Sequence, residues 1–191
     1  VGKQKGHANS SDFSPQAVRD TVDKALTIAR FTASDDCAGL ADADLMARPS
    51  DRKELDLFHP WDLPVEQAIE MARECEAAAF RLDPRIANSD GVHVACQQSQ
   101  FVLANSRGFM AGFPTSRHYL SCAVIAEERG RMERDDWYAS ERDARDLAKP
   151  SAIGDYAGRR ALARLRAKKI STTQAPILFE APVANGLLSH F

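Results

Sequence analysis

The sequence lacks the short motifs that most often carry enzyme chemistry. It contains no HExxH pair, no CxxC pair, no glycine-rich phosphate-binding loop and no GxSxG nucleophile elbow. Long hydrophobic runs are also missing, since an apolar stretch such as residues 122–126 is far shorter than the roughly 20 residues that span a bilayer. The sequence therefore gives no indication of a zincin, a P-loop nucleotide enzyme, a serine hydrolase or a transmembrane protein.

Neither sign of charge dominates the chain. Its 191 residues include 25 Lys and Arg against 27 Asp and Glu, which gives a formal net charge of −2. A protein with so little net charge has no global field that would draw it to nucleic acid or to an anionic membrane. Hydrophobic residues at 44% and charged residues at 27% are ordinary for one large or two small globular domains.

Cysteine and histidine are few and scattered. Because Cys37, Cys75, Cys96 and Cys122 form no close pair, we expect reduced thiols, several of them buried, in a cytoplasmic setting. Zinc needs three or four ligands at reachable spacing, and the five histidines do not provide them. We therefore predict no metal site, and no residue is assigned a catalytic role.

Apolar residues at helical spacing predict three amphipathic helices, at residues 15–31, 62–82 and 151–167. Ser14 is a good N-cap for the first helix. Pro15 suits the first helical position because a proline has no N–H that needs a partner there. The intervening residues 32–60 contain many helix breakers and are interpreted as a connection between domains.

Residues 85–140 differ from the rest, with short β-rich runs separated by turn residues. The predicted strands are 109–117, 118–128 and 132–140, and the predicted turns are Asp90-Gly91, Ser106–Gly108 and Arg129-Gly130. Consecutive hairpins form an antiparallel meander with one face in water. The predicted fold class is therefore α+β, an antiparallel β-meander packed with a few amphipathic helices. A further strand at 175–179 and a helix at 182–191 are predicted to follow.

The only feature typical of nucleic-acid binding is the basic end of the third predicted helix. Its cations are Arg159, Arg160, Arg164, Lys168 and Lys169. Because cations near a helix C-terminus also interact favourably with the helix dipole, we favour a structural role for them. Contact with nucleic acid is kept as the alternative.

Both ends of the chain look cut. The sequence begins with Val1 rather than Met, and it stops at Phe191 inside an apolar run. We therefore expect a piece of a longer protein.

Several strings along the chain resemble the TldD/PmbA family, on its PmbA (TldE) side. They include Ser10–Val18, Asp36–Asp42, Leu55–Pro60, Asn105–Phe109 and Ile125–Glu128. The resemblance is ordered and covers essentially all of the chain. It implies four parts, namely the end of an N-terminal domain at 1–32, a connecting segment at 33–60, a middle α+β domain at 61–170 and the truncated start of a C-terminal domain at 174–191.

What the resemblance implies is a subunit of a cytosolic TldD/TldE zinc metalloprotease. Such proteases are understood to cleave unfolded peptides, to mature the leader of a microcin-type antibiotic and to help degrade an antitoxin. The implied partner is a TldD-type subunit or a second copy of this chain, and substrate peptides are thought to lie extended along a sheet edge. A non-enzymatic regulator that modulates DNA gyrase or binds nucleic acid is the alternative.

In this family, the zinc is expected in the TldD-type partner, on an HExxxH helix and a distant cysteine. Where a TldD-type chain would carry His-Glu, this sequence has Ser189-His190. Serine is not a usable zinc ligand, and histidine cannot serve as a carboxylate base. We therefore expect that this chain binds no cofactor of its own.

Overall fold

The structure, a computed structural model, describes residues 2–51 and 53–190. These residues form two compact units. One contains the residues up to Asp56 together with Phe101–Phe113, and the other contains Leu57–Gln100 and the residues from Pro114 onward. Val1 and Phe191, the outer limits of the first and last predicted domains, lie outside the described residues. The predicted domain boundaries stay predictions.

The first unit is built around helix α1, Pro15–Phe31. The Ser14 side chain accepts a hydrogen bond from the backbone N–H of Ala17 at 3.3 Å, which confirms the predicted N-cap. A β-carbon added at Gly6 would lie 2.1 Å from the carbonyl oxygen of Ala25, so only glycine permits this close approach to the helix. Two short 3-10 turns, Ala43–Leu45 and Pro49–Asp51, follow α1.

The second unit contains most of the regular structure. Its elements in chain order are helix α2 (Val65–Leu82), strands β1 (Ile86–Ala104), β2 (Met110–Glu128) and β3 (Arg131–Glu141), a 3-10 turn (Ala144–Asp146), and helices α3 (Pro150–Arg164) and α4 (Ala181–Leu188). The sheet has the order β1-β2-β3, although the residues of β1 and β2 next to their connecting turn belong to the first unit. The predicted α+β class and antiparallel meander are confirmed.

Alternation along β2 sets the core of the second unit. Leu120, Cys122, Val124 and Ala126 are fully buried, and the residues between them are partly exposed. The buried side chains pack with residues of α2, of α3 and of the C-cap of α3, namely Cys75, Ala79, Ile153, Ala157, Ala161 and Leu165. One face of the sheet is therefore covered by α2 and α3.

The two covering helices approach each other closely through small residues. Gly154 and Gly158 of α3 are buried one turn apart, and they face Cys75, Ala79 and Leu82 of α2. A β-carbon at Gly154 would lie 1.8 Å from the carbonyl oxygen of Cys75, which is far inside van der Waals contact. The backbone of α3 therefore contacts the backbone of α2 directly at this point.

The predicted turn at Asp90-Gly91 is wrong. Both residues lie inside β1, where Gly91 adopts φ of 117°, and its N–H donates to the Ser89 hydroxyl at 3.0 Å. Glycine tolerates this conformation within a strand, so the sequence signal for a turn marks a local distortion instead. By contrast, the turn at Arg129-Gly130 is confirmed, with φ of 53° and 74° as a two-residue hairpin requires.

The two strands predicted at 109–117 and 118–128 are one continuous strand, β2. Ser116 and His118 are buried on the same face as Leu120, so the alternation runs through the predicted break without changing phase. The strand predicted at 175–179 is absent, because these residues have no regular secondary structure and no strand in the described chain pairs with them.

Helix boundaries differ from the predictions by a few residues. α2 begins at Val65 rather than near Asp62, because Pro64 takes the N-cap position in an extended conformation. α3 ends at Arg164 rather than at 167, because Arg166 has φ of 63° and reverses the chain. The last helix ends at Leu188 rather than at 191.

Within the described residues, no helix is both long enough and apolar enough to cross a membrane.

Candidate functional site

The described part of the chain brings together no group of three or more His, Cys, Asp or Glu side chains that could hold a metal ion. At the position where a TldD-type chain would carry zinc ligands, the Ser189 hydroxyl donates to the carbonyl of Gly186 at 2.7 Å. The resemblance places the zinc in a TldD-type partner, and that assignment stays a prediction.

Buried and partly buried polar side chains are concentrated where the segment before α2 meets β2. We call His59, Ser116, His118 and Asp143 the His59–His118 cluster. The ring Nε2 of His118 lies 2.9 Å from the carbonyl oxygen of His59, and the ring Nδ1 of His59 lies 3.5 Å from a carboxylate oxygen of Asp143. The Trp61 ring meets the His118 ring edge-on, with 5.3 Å between the centroids.

The Ser116 hydroxyl in this cluster ties backbone segments together. It accepts from the N–H of His59 and donates to the carbonyl oxygen of Arg142, both at 2.8 Å. The backbone N–H of Ser116 also donates to the carbonyl of Leu57 at 2.9 Å. A nucleophilic serine needs a general base within reach of its hydroxyl proton. Here the hydroxyl donates its hydrogen bond to a backbone carbonyl, which is not a base. The cluster therefore anchors the segment around His59 rather than forming a catalytic triad.

Sequence reasoning did not find this cluster. His59 and Ser116 are 57 residues apart, and no spacing rule connects them. The alternation that marks Leu120 as buried does extend back to His118, and it is the one signal that the sequence offers for this cluster.

The pKa of the Asp143 carboxyl is held at about 2, chiefly by hydrogen bonds from the side chain and backbone of Arg145.

The basic residues predicted as the alternative nucleic-acid contact are largely engaged in ion pairs. Arg159 pairs with Asp155 at 2.8 Å. Arg160 lies 2.7 Å from a carboxylate oxygen of Glu180 and also stacks over the Trp137 ring. The remaining contacts are Arg160 with Asp135, and Arg164 with Asp135 and Glu133. Lys168 and Lys169 lie beyond the end of α3 and are exposed. Nucleic-acid contact by these five residues stays a prediction.

The four cysteines are free thiols. Cys75 and Cys122 are fully buried and hydrogen-bonded to each other in the core, whereas Cys37 and Cys96 are exposed. Donation of its S–H to the Cys122 sulfur, and burial after it, raise the pKa of the Cys75 thiol, which disfavours the nucleophilic thiolate. The expected burial therefore holds for two of the four.

A second charged cluster joins the end of β2 to the end of α3. Glu128 accepts hydrogen bonds from the guanidinium of Arg166 and lies 3.2 Å from Arg85, which in turn pairs with Asp83 at 2.8 Å. The bonds from Arg166 first, and those from Arg85 second, lower the pKa of Glu128 to about 2. The Glu128 carboxylate therefore binds Arg166, the residue with positive φ after α3, to the end of β2.

We expect acid to weaken the second unit through Glu128. Its folded pKa of about 2 lies below the ordinary value of 4.5, so its stabilising effect is complete above pH 4.5 and is lost as the pH falls towards 2. Glu128→Gln should therefore flatten the fall in stability over this range, measured by urea unfolding at a series of pH values. The neighbouring exposed Glu127→Gln is the control, and an equal effect of both substitutions would contradict the assignment.

Comparison with curated proteins extends along the whole chain. It is 46% identical over 187 residues to a protein of Escherichia coli O157:H7 named metalloprotease PmbA, which covers 98% of this chain and 41% of the relative. It is 39% identical over 191 residues to a metalloprotease PmbA homolog of Haemophilus influenzae, with 100% and 42% coverage. The chain thus spans about two fifths of the length of the curated relatives it matches.

Solved structures share the fold. A Bacteroides thetaiotaomicron protein, described as a candidate modulator of DNA gyrase, matches with a TM-score of 0.78 and 22% identity over 89% of this chain and 39% of its own. TldE of Thermococcus kodakarensis matches with a TM-score of 0.57 and 14% identity over 84% and 35%. The family model described as the PmbA/TldA metallopeptidase central domain matches residues 58–165, which include the whole sheet and its two covering helices. The chain belongs to the PmbA/TldD family.

Proposed function

We propose that this chain is part of a PmbA/TldE-like subunit of a cytosolic TldD/TldE zinc metalloprotease that cleaves unfolded peptides. The observation that carries the proposal is the 46% identity to metalloprotease PmbA along nearly all of the chain. On this proposal, microcin-type leader peptides and an antitoxin are among the substrates. The chain itself supplies no zinc ligand.

The contacts of the described residues favour a structural role for this chain rather than a catalytic one. The described residues gather no metal-binding group, and the Ser116 hydroxyl of the His59–His118 cluster is committed to backbone carbonyl and amide groups. Small-residue contacts between α2 and α3 make a closely packed layer behind the sheet. On this proposal, the layer supports the peptide-binding sheet and provides a surface for assembly with the partner, which holds the metal.

Substrate contact in this proposal is made through backbone hydrogen bonds. β1 and β3 are the edge strands of the sheet, and an extended peptide adds to a sheet edge with little dependence on its own sequence. This mode suits unfolded peptides because their backbone groups are free. The partner's zinc would supply the activated water for hydrolysis.

The alternative function, a regulator that acts on DNA gyrase or nucleic acid, is less well supported. The chain carries a net charge of −2, and Arg159, Arg160 and Arg164 already pair with carboxylates. Binding to duplex DNA that falls steeply with salt, and that Arg160→Glu with Arg164→Glu abolishes, would favour this alternative.

The proposal is tested by reconstitution. The full-length protein, a TldD-type partner and their mixture are each incubated with an unfolded fluorogenic peptide. We expect the two proteins to co-purify, cleavage by the mixture only, loss of cleavage on chelation and recovery on adding zinc. If the full-length protein cleaves the peptide alone, and a chelator stops it, the proposed division of labour is wrong.

A further inference from the structure

A basic cavity lies in the second unit, at the end of the sheet where β2 turns into β3. Its volume is about 400 Å³, and its walls come from this turn and from the residues after α3. The charged side chains that line it are Glu128, Arg129, Arg131, Glu133, Arg166 and Lys168. The function proposed above makes no use of this cavity.

Both acidic groups in the wall already have cationic partners. Glu128 is bound by Arg166 and Arg85, which hold its pKa at about 2, so the carboxylate keeps its charge and its partners near neutral pH. Glu133 lies 3.9 Å from Arg164. Neither carboxylate is therefore left to neutralise the remaining cations.

Three cations of the wall stay uncompensated. Arg129, Arg131 and Lys168 are exposed, and the described residues provide no ion-pair or hydrogen-bond partner for their side chains. All three residues line one cavity although the chain as a whole is slightly acidic. Like charges held together in this way repel one another unless an anion lies between them.

The backbone gives an independent reason to look for a role of Arg129. It occupies the first position of the hairpin turn with φ of 53°, where asparagine and glycine are favoured and a long side chain gains nothing locally. Arg166 also has positive φ, but its ion pair with Glu128 accounts for it. At Arg129 the hairpin requires the positive φ, but no contact with a described residue explains why an arginine side chain stands there.

We propose that this cavity binds a compact multivalent anion, of phosphate or polycarboxylate type, through Arg129, Arg131 and Lys168. Arginine matches the oxygen pairs of both groups with two parallel hydrogen bonds, and lysine adds a point charge. The volume lies near the small end of ligand sites. The site is therefore one for a small molecule.

The test measures pyrophosphate binding to the full-length protein by calorimetry in low-salt buffer, with citrate as the second arm. We expect saturable binding to the wild type and at least about tenfold weaker binding to the triple variant Arg129→Ala, Arg131→Ala, Lys168→Ala. A preference for pyrophosphate assigns a phosphate ligand, whereas a preference for citrate assigns a polycarboxylate. Absence of saturable binding of either anion to the wild type would overturn the proposal.

A charge-matched control separates a site from general attraction. Lys24→Ala, Lys53→Ala and Lys149→Ala remove an equal number of positive charges, three, at exposed positions outside the cavity wall. We expect this variant to bind like the wild type, and equal weakening in both triple variants would overturn the proposal. The single variant Arg129→Asn places a turn-favoured residue in the hairpin, so we expect weaker binding with unchanged or higher stability. Wild-type binding by this variant would remove Arg129 from the site.

Discussion

Gly154→Ala is expected to destabilise the second unit by about 2–3 kcal/mol. The new β-carbon would lie 1.8 Å from the carbonyl oxygen and 2.8 Å from the carbonyl carbon of Cys75, both backbone atoms of α2. Neither atom can move without displacing the helix, so α3 must shift away from α2 and open the core. The gain in helix propensity, about 1 kcal/mol for glycine to alanine, is too small to offset this loss.

Gly158→Ala is the matched control, one turn further along the same helix. Its β-carbon would meet Cδ2 of Leu82 at 2.9 Å, the far end of a flexible side chain, and the nearest backbone atom at 3.6 Å. We expect a change within about 1 kcal/mol, because Leu82 can rotate away. The chain's two tryptophans, Trp61 and Trp137, lie in the second unit, so urea unfolding followed by fluorescence reports on it. Equal effects at both positions would contradict the close backbone contact.

Leu120→Ala is expected to cost about 3–4 kcal/mol. Leu120 is fully buried in the middle of β2, in the core cluster that also contains residues of α2 and α3. The substitution removes buried methyl and methylene groups and leaves a cavity that rigid neighbours on two helices cannot fill. The same fluorescence measurement should show a large shift of the unfolding midpoint.

Met132→Ala on β3 is the comparison for this second prediction. Met132 belongs to the same sheet but is 67% exposed, so its truncation removes few buried contacts. We expect a change within about 0.5 kcal/mol, as is usual for surface positions. A loss at Met132 as large as that at Leu120 would mean that the sheet buries the opposite face.

Local signals predicted those elements whose cause is local. The Ser14-Pro15 pair fixes the start of α1, and the Arg129-Gly130 pair fixes the hairpin between β2 and β3. The alternation of Leu120, Cys122 and Val124 identifies the buried face of the sheet. Each of these features depends on neighbours within a few residues, which is why sequence spacing was sufficient.

Features that depend on distant partners were not predicted. Asp90-Gly91 has the composition of a turn, but β1 pairs with β2 and continues through both residues. Val18 and Val22 of α1 have helical spacing typical of a buried face, yet both are exposed among the described residues. Gly154 lies in a helix where glycine is unfavourable, and only contact with α2 explains it.

The candidate sites show the same division. The His59–His118 cluster joins His59 to residues that lie 57 to 84 positions later in the sequence, so no motif could indicate it. The basic residues of α3 were visible as a run of cations, but their carboxylate partners on β3 and before α4 were not. Composition and spacing indicate no function, and the proposed function rests on the family resemblance.

We propose that this chain belongs to a PmbA/TldE-type subunit with no zinc site of its own. The most direct test of this proposal is the metal content of the full-length protein, stripped of metal, incubated with zinc, desalted and measured by mass spectrometry. We predict that zinc remains far below one ion per chain and that the protein alone does not cleave unfolded peptides. Retention of about one zinc ion per chain together with chelator-sensitive cleavage would contradict the claim.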